Sequence, residues 1–365
     1  VKVAGIHRRS LWPADGGDAV MVIDQRRLPF AWAIARLDSV ARVHEAIADM
    51  WVRGAPLIGA TAAYGMALQC RVAAGDGELH QAKALLDSAR PTAVNLAWAT
   101  RRMLAALAPL PVAQRADAAW ALAGAIADED VAVNAAIGRH GLALLQDLAH
   151  RHAYRPLNIL THCNAGWLAT VDWGTALAPL YQAQAAGLAL HVWVDETRPR
   201  NQGASLTAWE LGQQGVPHTV IADNSGGHLM QHGRVDAVIV GADRVTARGD
   251  VCNKIGTYLK ALAAYDNGVP FYVALPLSTL DLALADGLAE IPIEQRPPRE
   301  LTHLSGRAAS GEVLEVQLVP DGSAALNPAF DVTPARLVSG LITERGVFAA
   351  DEAALRTAAS GTAGG

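Results

Sequence analysis

From His152 onward, short apolar β-rich runs alternate with helical ones. The runs fall at 157–160, 189–194, 218–221, 235–240 and 270–275, with helical patterns at about 174–186, 203–213, 225–232 and 254–267 between them. Parallel strands need a long crossover, usually a helix, so repeated βα units point to a parallel sheet wound in both directions, with helices on both faces. In such sheets ligands bind outside the carboxyl ends of the strands. The residues that follow each apolar run are therefore the first place to look for a site.

The part before His152 lacks this alternation. Segments 19–23 and 29–34 read as short strands around the charged link Asp24-Gln25-Arg26-Arg27. Asp38-Ser39 offers N-cap chemistry ahead of an apolar stripe of Val40, Val43, Ile47 and Trp51. Pro56 suits the first turn of a second helix through Ile58, Ala62 and Met66. Pro91 interrupts the Ala-rich helical segment beyond it, and further helices are expected at 93–107, 114–126 and 129–150. At 365 residues two domains are expected: 1–130 mixed and mainly helical, 131–155 a linking-helix region, 156–350 the α/β domain and 351–365 a tail. After Pro276 the reading is a proline-rich turn at 295–298, a strand at 313–318 and a helix at 334–344.

Composition narrows the function classes. The chain is 51% apolar and 18% charged, enough for sizeable cores and too apolar for disorder. A formal charge of −5 argues against a nucleic-acid partner. No run reaches the roughly 18 apolar residues of a membrane span, so no membrane partner is expected. Arg8 and Arg9 are not followed by an apolar stretch of signal-peptide length, and the three cysteines form no disulfide framework. A reducing, cytoplasmic location is the expectation.

Four strand ends deliver polar groups to one sheet edge. The first ends in Thr161-His162-Cys163-Asn164-Ala165-Gly166, which sets a thiol in a glycine-bearing turn. Backbone N–H groups there can activate a thiol or bind an anion, although a free Cys is also often a small buried hydrophobe. The second ends in Asp195-Glu196-Thr197-Arg198-Pro199, with Gln202 following, which reads as a site rim or as surface pairing of Glu196 with Arg198 or Arg200. The third ends in Asp223-Asn224, and the fourth in Gly241-Ala242-Asp243. Asn253 and Lys254 come about ten residues later, at the expected start of the 254–267 helix. An acid, an amide and a cation would then face one small anionic substrate. Arg53-Gly54-Ala55-Pro56 opens a helix, whose free N–H groups and partial positive charge suit a phosphate. Arg53 and Arg90 add guanidinium donors, though an Arg more commonly pairs with a surface carboxylate.

Several motifs are missing. Gly54-x-x-x-x-Gly59 continues as Ala60-Thr61, not Lys-Ser/Thr, and no G-x-G-x-x-G follows the first strand of the alternating region. No C-x-x-C or H-E-x-x-H occurs, so neither a cofactor nor a metal is expected.

Six stretches in chain order carry a resemblance: VRGAPLIGATAAYG, ARPTAVNLAWA, LTHCNAGWLAT, VDETRPRNQGASLTAWEL, VIVGADRVTARGDVCNKIGTY and NPAFDVTPARLVSGLITERG. Together they resemble the methylthioribose-1-phosphate isomerases. The resemblance implies an α/β fold, with a smaller mixed, mainly helical N-terminal domain and a Rossmann-like doubly wound parallel-sheet C-terminal domain, usually as a homodimer. It implies a fold shared with regulatory subunits of translation initiation factor 2B and with ribose-1,5-bisphosphate isomerase. It also implies a small phosphorylated sugar as substrate, with Cys163 and Asp243 as catalytic pair. The family's substrate-binding positions fall on Arg53, Gly54, Ala55, Arg90, Gln202, Asn253 and Lys254. Cys252 stands where Ala is common, and Asn201 and Ser205 replace Leu and Arg. The rival readings are an isomerase of another C1-phosphorylated pentose and a non-catalytic regulatory subunit. The second predicts loss of the Cys–Asp pair, yet both residues are present.

Overall fold

The alternating segment forms a seven-stranded sheet in a computed structural model that describes residues 2–90, 93–153 and 155–361. Its strands are β1 (Leu157–Thr161), β2 (Leu190–Asp195), β3 (His218–Ile221), β4 (Ala237–Val240), β5 (Phe271–Ala274), β6 (Gly340–Thr343) and β7 (Gly346–Phe348). The spatial order is β7-β6-β5-β4-β1-β2-β3. All neighbours are parallel except the terminal hairpin of β6 and β7. The chain runs outward from β1 through β2 to β3, then returns to place β4 on the other side of β1. That reversal opens a crevice at the carboxyl ends of β1 and β4, the place where open α/β sheets bind ligands. The β4 run Ala237, Val238, Ile239 and Val240 is fully buried, as a central strand covered on both faces must be.

The N-terminal half packs helices α1 (Val40–Ala48), α2 (Ala55–Val72), α3 (Asp76–Ser88), α4 (Val94–Leu107) and α5 (Val112–Arg151) beside a three-stranded antiparallel sheet of Leu11–Pro13, Val20–Ile23 and Ile34–Leu37. Helix α2 is apolar on all sides and lies in the middle of this half, with α1, α3, α4 and α5 around it. Ser39 caps α1 by accepting from Arg42 N, as its residue type suggests. The sheet half carries α6 (Ala178–Ala185), α7 (Ala208–Gln214), α8 (Ser225–Gln231) and α9 (Thr257–Asp266). No helix among the described residues is long and apolar enough to cross a membrane.

The structure departs from the sequence reading at six places. The strand expected at 29–34 begins only at Ile34, because Asp24 caps a tight turn over Gln25–Arg27 and the Arg27 carbonyl takes the Phe30 and Ala31 N–H groups. The two helices expected at 114–126 and 129–150 are one 40-residue helix, α5. Its acidic middle continues the helix because each carboxylate has a partner elsewhere: Asp128 with Arg9, Glu129 with Arg102, and Asp130 with the Val171 N–H. The helix expected at 203–213 begins with a π turn, Gly203–Thr207. Lys254 ends a strand, Val251–Lys254, and does not start a helix. Gly256 turns the chain at φ +99, and the Asp331 carboxylate accepts its N–H and that of Tyr258 at the start of α9. The expected helix at 334–344 is instead a short turn, Ala335–Leu337, and β6, preceded by a strand, Phe330–Thr333. Phe330–Thr333 pairs with Val251–Lys254, and β6 completes the parallel ladder on β5, so long-range pairing overrides a local pattern that suits either state. The segment read as a tail carries a helix, Glu352–Ser360, capped by Asp351 and anchored by buried Leu355 and Ala358. Residues 362–365 and the break expected at Pro91 lie outside the described residues.

Ile159 in β1 is fully buried in the core that the sheet shares with α5 and α6. Truncation Ile159→Ala is expected to lower stability by about 2–5 kcal/mol, measured by urea denaturation.

Candidate active site

At the end of β1 the chain makes an uncommon turn. Cys163 has φ +64, a left-handed conformation that costs a non-glycine residue energy and persists only when its surroundings hold it. Here both of its backbone groups are tied down. Its N–H donates to Thr197 Oγ1 at 2.8 Å, and its carbonyl accepts from Thr207 Oγ1 at 2.7 Å. Thr197, itself at φ +66, is held by Asp223, whose carboxylate accepts the N–H groups of Thr197 and Arg198, each at 2.7 Å. The ends of β1, β2 and β3 are thus laced together, and the Cys163 thiol points at Gln202 Oε1, 3.0 Å away.

From β4 comes Asp243, whose N–H donates to the Cys252 carbonyl at 2.9 Å. That bond registers the strand carrying Asn253 and Lys254 beside it. A Cβ on Gly241 would sit 2.6 Å from the Ala165 side chain, so the β1 and β4 loops touch there. Lys254 is buried with its ammonium 4.4 Å from the Phe330 ring centroid. Asn253 donates from its side chain to Thr257 Oγ1 at 3.0 Å.

The helical half supplies the opposite wall. Gly54 adopts φ +93, and a Cβ there would overlap the backbone of Ala169. The start of α2 is therefore pressed directly on the loop after β1. No side chain caps α2, which leaves its first-turn N–H groups for an anion. Arg53, buried just before it, donates to the side-chain oxygen of Asn164 and to the Asn164 carbonyl. Arg90 approaches from the loop after α3 and pairs with Glu294 at 3.0 Å. Glu294 begins an alternating chain of charges that runs through Arg296 and Glu300 to Arg200.

These groups act on one another. Burial pushes the Cys163 thiol up, against the nearby charges of Arg53 and Lys254. Burial also raises the Asp243 carboxyl, with Lys254, Arg90 and Arg53 pulling it back. Burial lowers Lys254 and Arg53, and Cys163 and Asp243 resist that shift. The centre thus gathers two buried basic groups, Arg53 and Lys254, around a thiol and a carboxyl whose ionised forms burial disfavours. Such an enclosure favours an anion. A cavity of about 700 Å³ leads outward from Arg53 and Gln202, past the apolar Leu28, Met50 and Leu206. A smaller one of about 280 Å³ lies between α2, α4 and α5, and Cys163, Asp243 and Lys254 line neither cavity.

The expected residues thus converge, with Asn253 turned toward Thr257 and Arg90 shared with Glu294. The surface pairing of Glu196 with Arg198 or Arg200 is replaced: Arg198 donates to the Pro199 and Leu301 carbonyls, and Arg200 pairs with Glu300. Sequence reasoning placed Asn164 and Thr197 at strand ends without giving them a role, and it missed Glu210 and the Glu294 chain. It also did not foresee that three strand-end residues, His162, Asp195 and the half-buried Asp223, gather with their ligand-type atoms within 4.8 Å of one another. Lys260 already supplies positive charge there, 3.2 Å from Asp195 and bonded to the Asp223 carbonyl. For Glu210 the available signal was that it is the single charged residue of the 203–213 run.

Gly54→Ala is expected to lower stability by at least about 1–3 kcal/mol from backbone strain alone. Chemical denaturation checks the stability, and substrate-analogue binding checks the accompanying displacement of Arg53.

Residues 51–350 match the Initiation factor 2 subunit family. Methylthioribose-1-phosphate isomerase of Rhodospirillum rubrum is 64% identical over 360 residues, covering 97% of this chain and 92% of that protein. The enzyme of the same name from Paramagnetospirillum magneticum is 62% identical, with 98% of each chain covered. Among solved structures, 5-methylthioribose 1-phosphate isomerase from Pyrococcus horikoshii OT3 superposes with a TM-score of 0.83 at 39% identity, covering 97% of this chain and 96% of that one. Translation initiation factor eIF-2B, subunit delta, from A. fulgidus superposes at 0.76 with 38% identity, covering 94% and 96%. The chain belongs to the Initiation factor 2 subunit family and, within it, to the methylthioribose-1-phosphate isomerases.

Proposed function

We propose that this protein interconverts 5-methylthioribose 1-phosphate and 5-methylthioribulose 1-phosphate, an aldose–ketose isomerisation of methionine salvage. The observation that carries this reading is the buried cationic enclosure around one thiol and one carboxyl of raised pKa. The names of the relatives at 62–64% identity support it. The cytoplasm is the proposed location and a homodimer the proposed assembly, which light scattering on the purified chain tests.

The chemistry sets a particular demand. Because C1 is a phosphate ester, no free aldehyde can form. The C1–O4 bond must break with the phosphate still attached, so the ring oxygen needs an acid. Asp243 fills that role, and its burial keeps it protonated further toward neutral pH than an exposed Asp. Arg53, the start of α2 at Gly54 and Ala55, Arg90 and Lys254 hold the phosphate, while Gln202 and Asn253 orient sugar hydroxyls. Hydrogen then moves from C2 to C1. In one route the Cys163 thiolate removes the C2 proton, and the resulting enol phosphate is reprotonated at C1. In the other, hydride passes directly from C2 to C1 as the 2-hydroxyl loses its proton toward Cys163. The apolar wall of Leu28, Met50 and Leu206 suits a methylthio group.

A coupled turnover assay with 5-methylthioribose 1-phosphate, 5-deoxyribose 1-phosphate and ribose 1,5-bisphosphate is expected to favour the first. Asp243→Asn and Cys163→Ser are each expected to lower kcat by about 100-fold or more. Near-full activity in both variants would sink the mechanism. Because the protonated form of Asp243 works, activity is expected to fall as pH rises through its elevated pKa. That alkaline limb should be absent from the residual activity of Asp243→Asn. In D₂O, substantial deuterium at product C1 rules out a pure hydride shift.

A further inference from the structure

Glu210 is an acid that the mechanism does not use. It sits in α7 with its side chain fully buried and takes a specific set of donors. Its Oε1 accepts from the Asn164 side-chain amide. Its Oε2 accepts from the Trp167 N–H at 2.7 Å and the Tyr181 hydroxyl at 2.9 Å. The loop after β1 wraps closely around this carboxylate, since a Cβ on Gly166 would overlap it. Burial raises its pKa to about 7, and the donors and the Arg53 charge work the other way.

The consequence lies one residue further on. The Asn164 Nδ2 donates to Glu210 and, at 3.1 Å, to Thr207 Oγ1. With its NH₂ committed on that side, Asn164 can turn only its Oδ1 toward Arg53, where it accepts one guanidinium nitrogen. The Asn164 backbone carbonyl accepts the other at 2.5 Å. A single residue thus holds both ends of the guanidinium fork. Without an acceptor at Glu210 Oε1, the amide could rotate and set its own NH₂ against Arg53, placing donor against donor.

We propose that Glu210 is a positioning residue that, through the side-chain amide of Asn164, holds the Arg53 guanidinium in the pose that receives the substrate phosphate. This rests on the reading of Arg53 as a phosphate-binding group. A carboxylate is required because donors arrive at both of its oxygens. A glutamine offers one oxygen, and its NH₂ would face either Asn164 or the Trp167 N–H. One contact is then lost, and the buried network no longer dictates the amide orientation.

The test is a double-mutant cycle in the full-length chain with Glu210→Gln and Arg53→Lys. Two quantities are read: kcat and KM with 5-methylthioribose 1-phosphate, and the Kd of inorganic phosphate by calorimetry. Glu210→Gln is expected to raise both KM and the phosphate Kd by about 10-fold, with a smaller change in kcat. In the Arg53→Lys background the same substitution is expected to change them by less than about 2-fold, because its route of action is already gone. Independent multiplication of the two defects overturns the proposal. So does a loss of thermal stability or kcat with KM and phosphate affinity unmoved, which is what a purely structural carboxylate produces. If Glu210→Gln does not fold, Asn164→Ala carries the same cycle with the same two outcomes. If the wild type binds phosphate but does not turn over the sugar, the functional reading fails, and the phosphate arm still decides the positioning role. If the wild type binds no phosphate, the proposal is overturned.

Discussion

A buried guanidinium held by neutral oxygens is the interaction on which this structure turns. Arg53 belongs to the helical half, yet both of its acceptors belong to Asn164 in the sheet half. Burying a charge without a contacting counter-ion is costly, and protein dipoles recover only part of that cost. Asn164 supplies two such dipoles. The Cys163 and Asp243 groups and the more remote Glu210 supply charge that acts on the cation. The remaining deficit is a standing preference for an anion, placed at the uncapped start of α2 and beside Lys254. Gly54 makes the arrangement possible, because only a residue without a Cβ lets the α2 start lie flat on the Ala169 backbone.

The same place concentrates backbone strain. Cys163 and Thr197 are both left-handed, and each is restrained by the other or by Asp223. Strained residues persist where surrounding structure over-determines them, and such places are commonly functional. Here the restraint fixes where the thiol points. The Asp223 carboxylate stabilises two backbone N–H groups of the segment after β2, and Thr197 passes that order to the end of β1. Beneath them His162, Asp195 and Lys260 form a buried polar cluster, with His162 also bonded to the Ile255 carbonyl at 2.8 Å. The reactive edge therefore stands on a rigid polar base, which is the preorganisation that positioned acids and bases need.

Charge continuity links the centre to its opening. Arg90, Glu294, Arg296, Glu300 and Arg200 alternate in sign from the inner wall to the mouth. Isolated surface pairs contribute little, but a half-buried network with bidentate geometry holds its members in place. It joins the loop after α3, the 294–300 segment and the loop that carries Gln202. Through it, the position of a cation from one half depends on residues more than a hundred positions away.

The fold class was legible because it rests on local periodicity: βα alternation from 157 onward requires a parallel sheet, and its strand ends named Cys163 and Asp243 directly. Residues that approach the site through their own loop, such as Arg53 and Arg90, were legible as candidates from the helix breaks around them. Tertiary structure alone decided the rest. Lys254 ends a strand because Phe330–Thr333, some seventy residues on, pairs with it. The 334–344 segment ends as a strand because β5 offers an open edge. Asn164 and Glu210 matter because one amide has a single permitted orientation between partners at positions 53, 207 and 210. Periodicity reports which face of an element is buried. It carries no record of which distant donor or acceptor waits on that face, and the chemistry of this site depends on those distant partners.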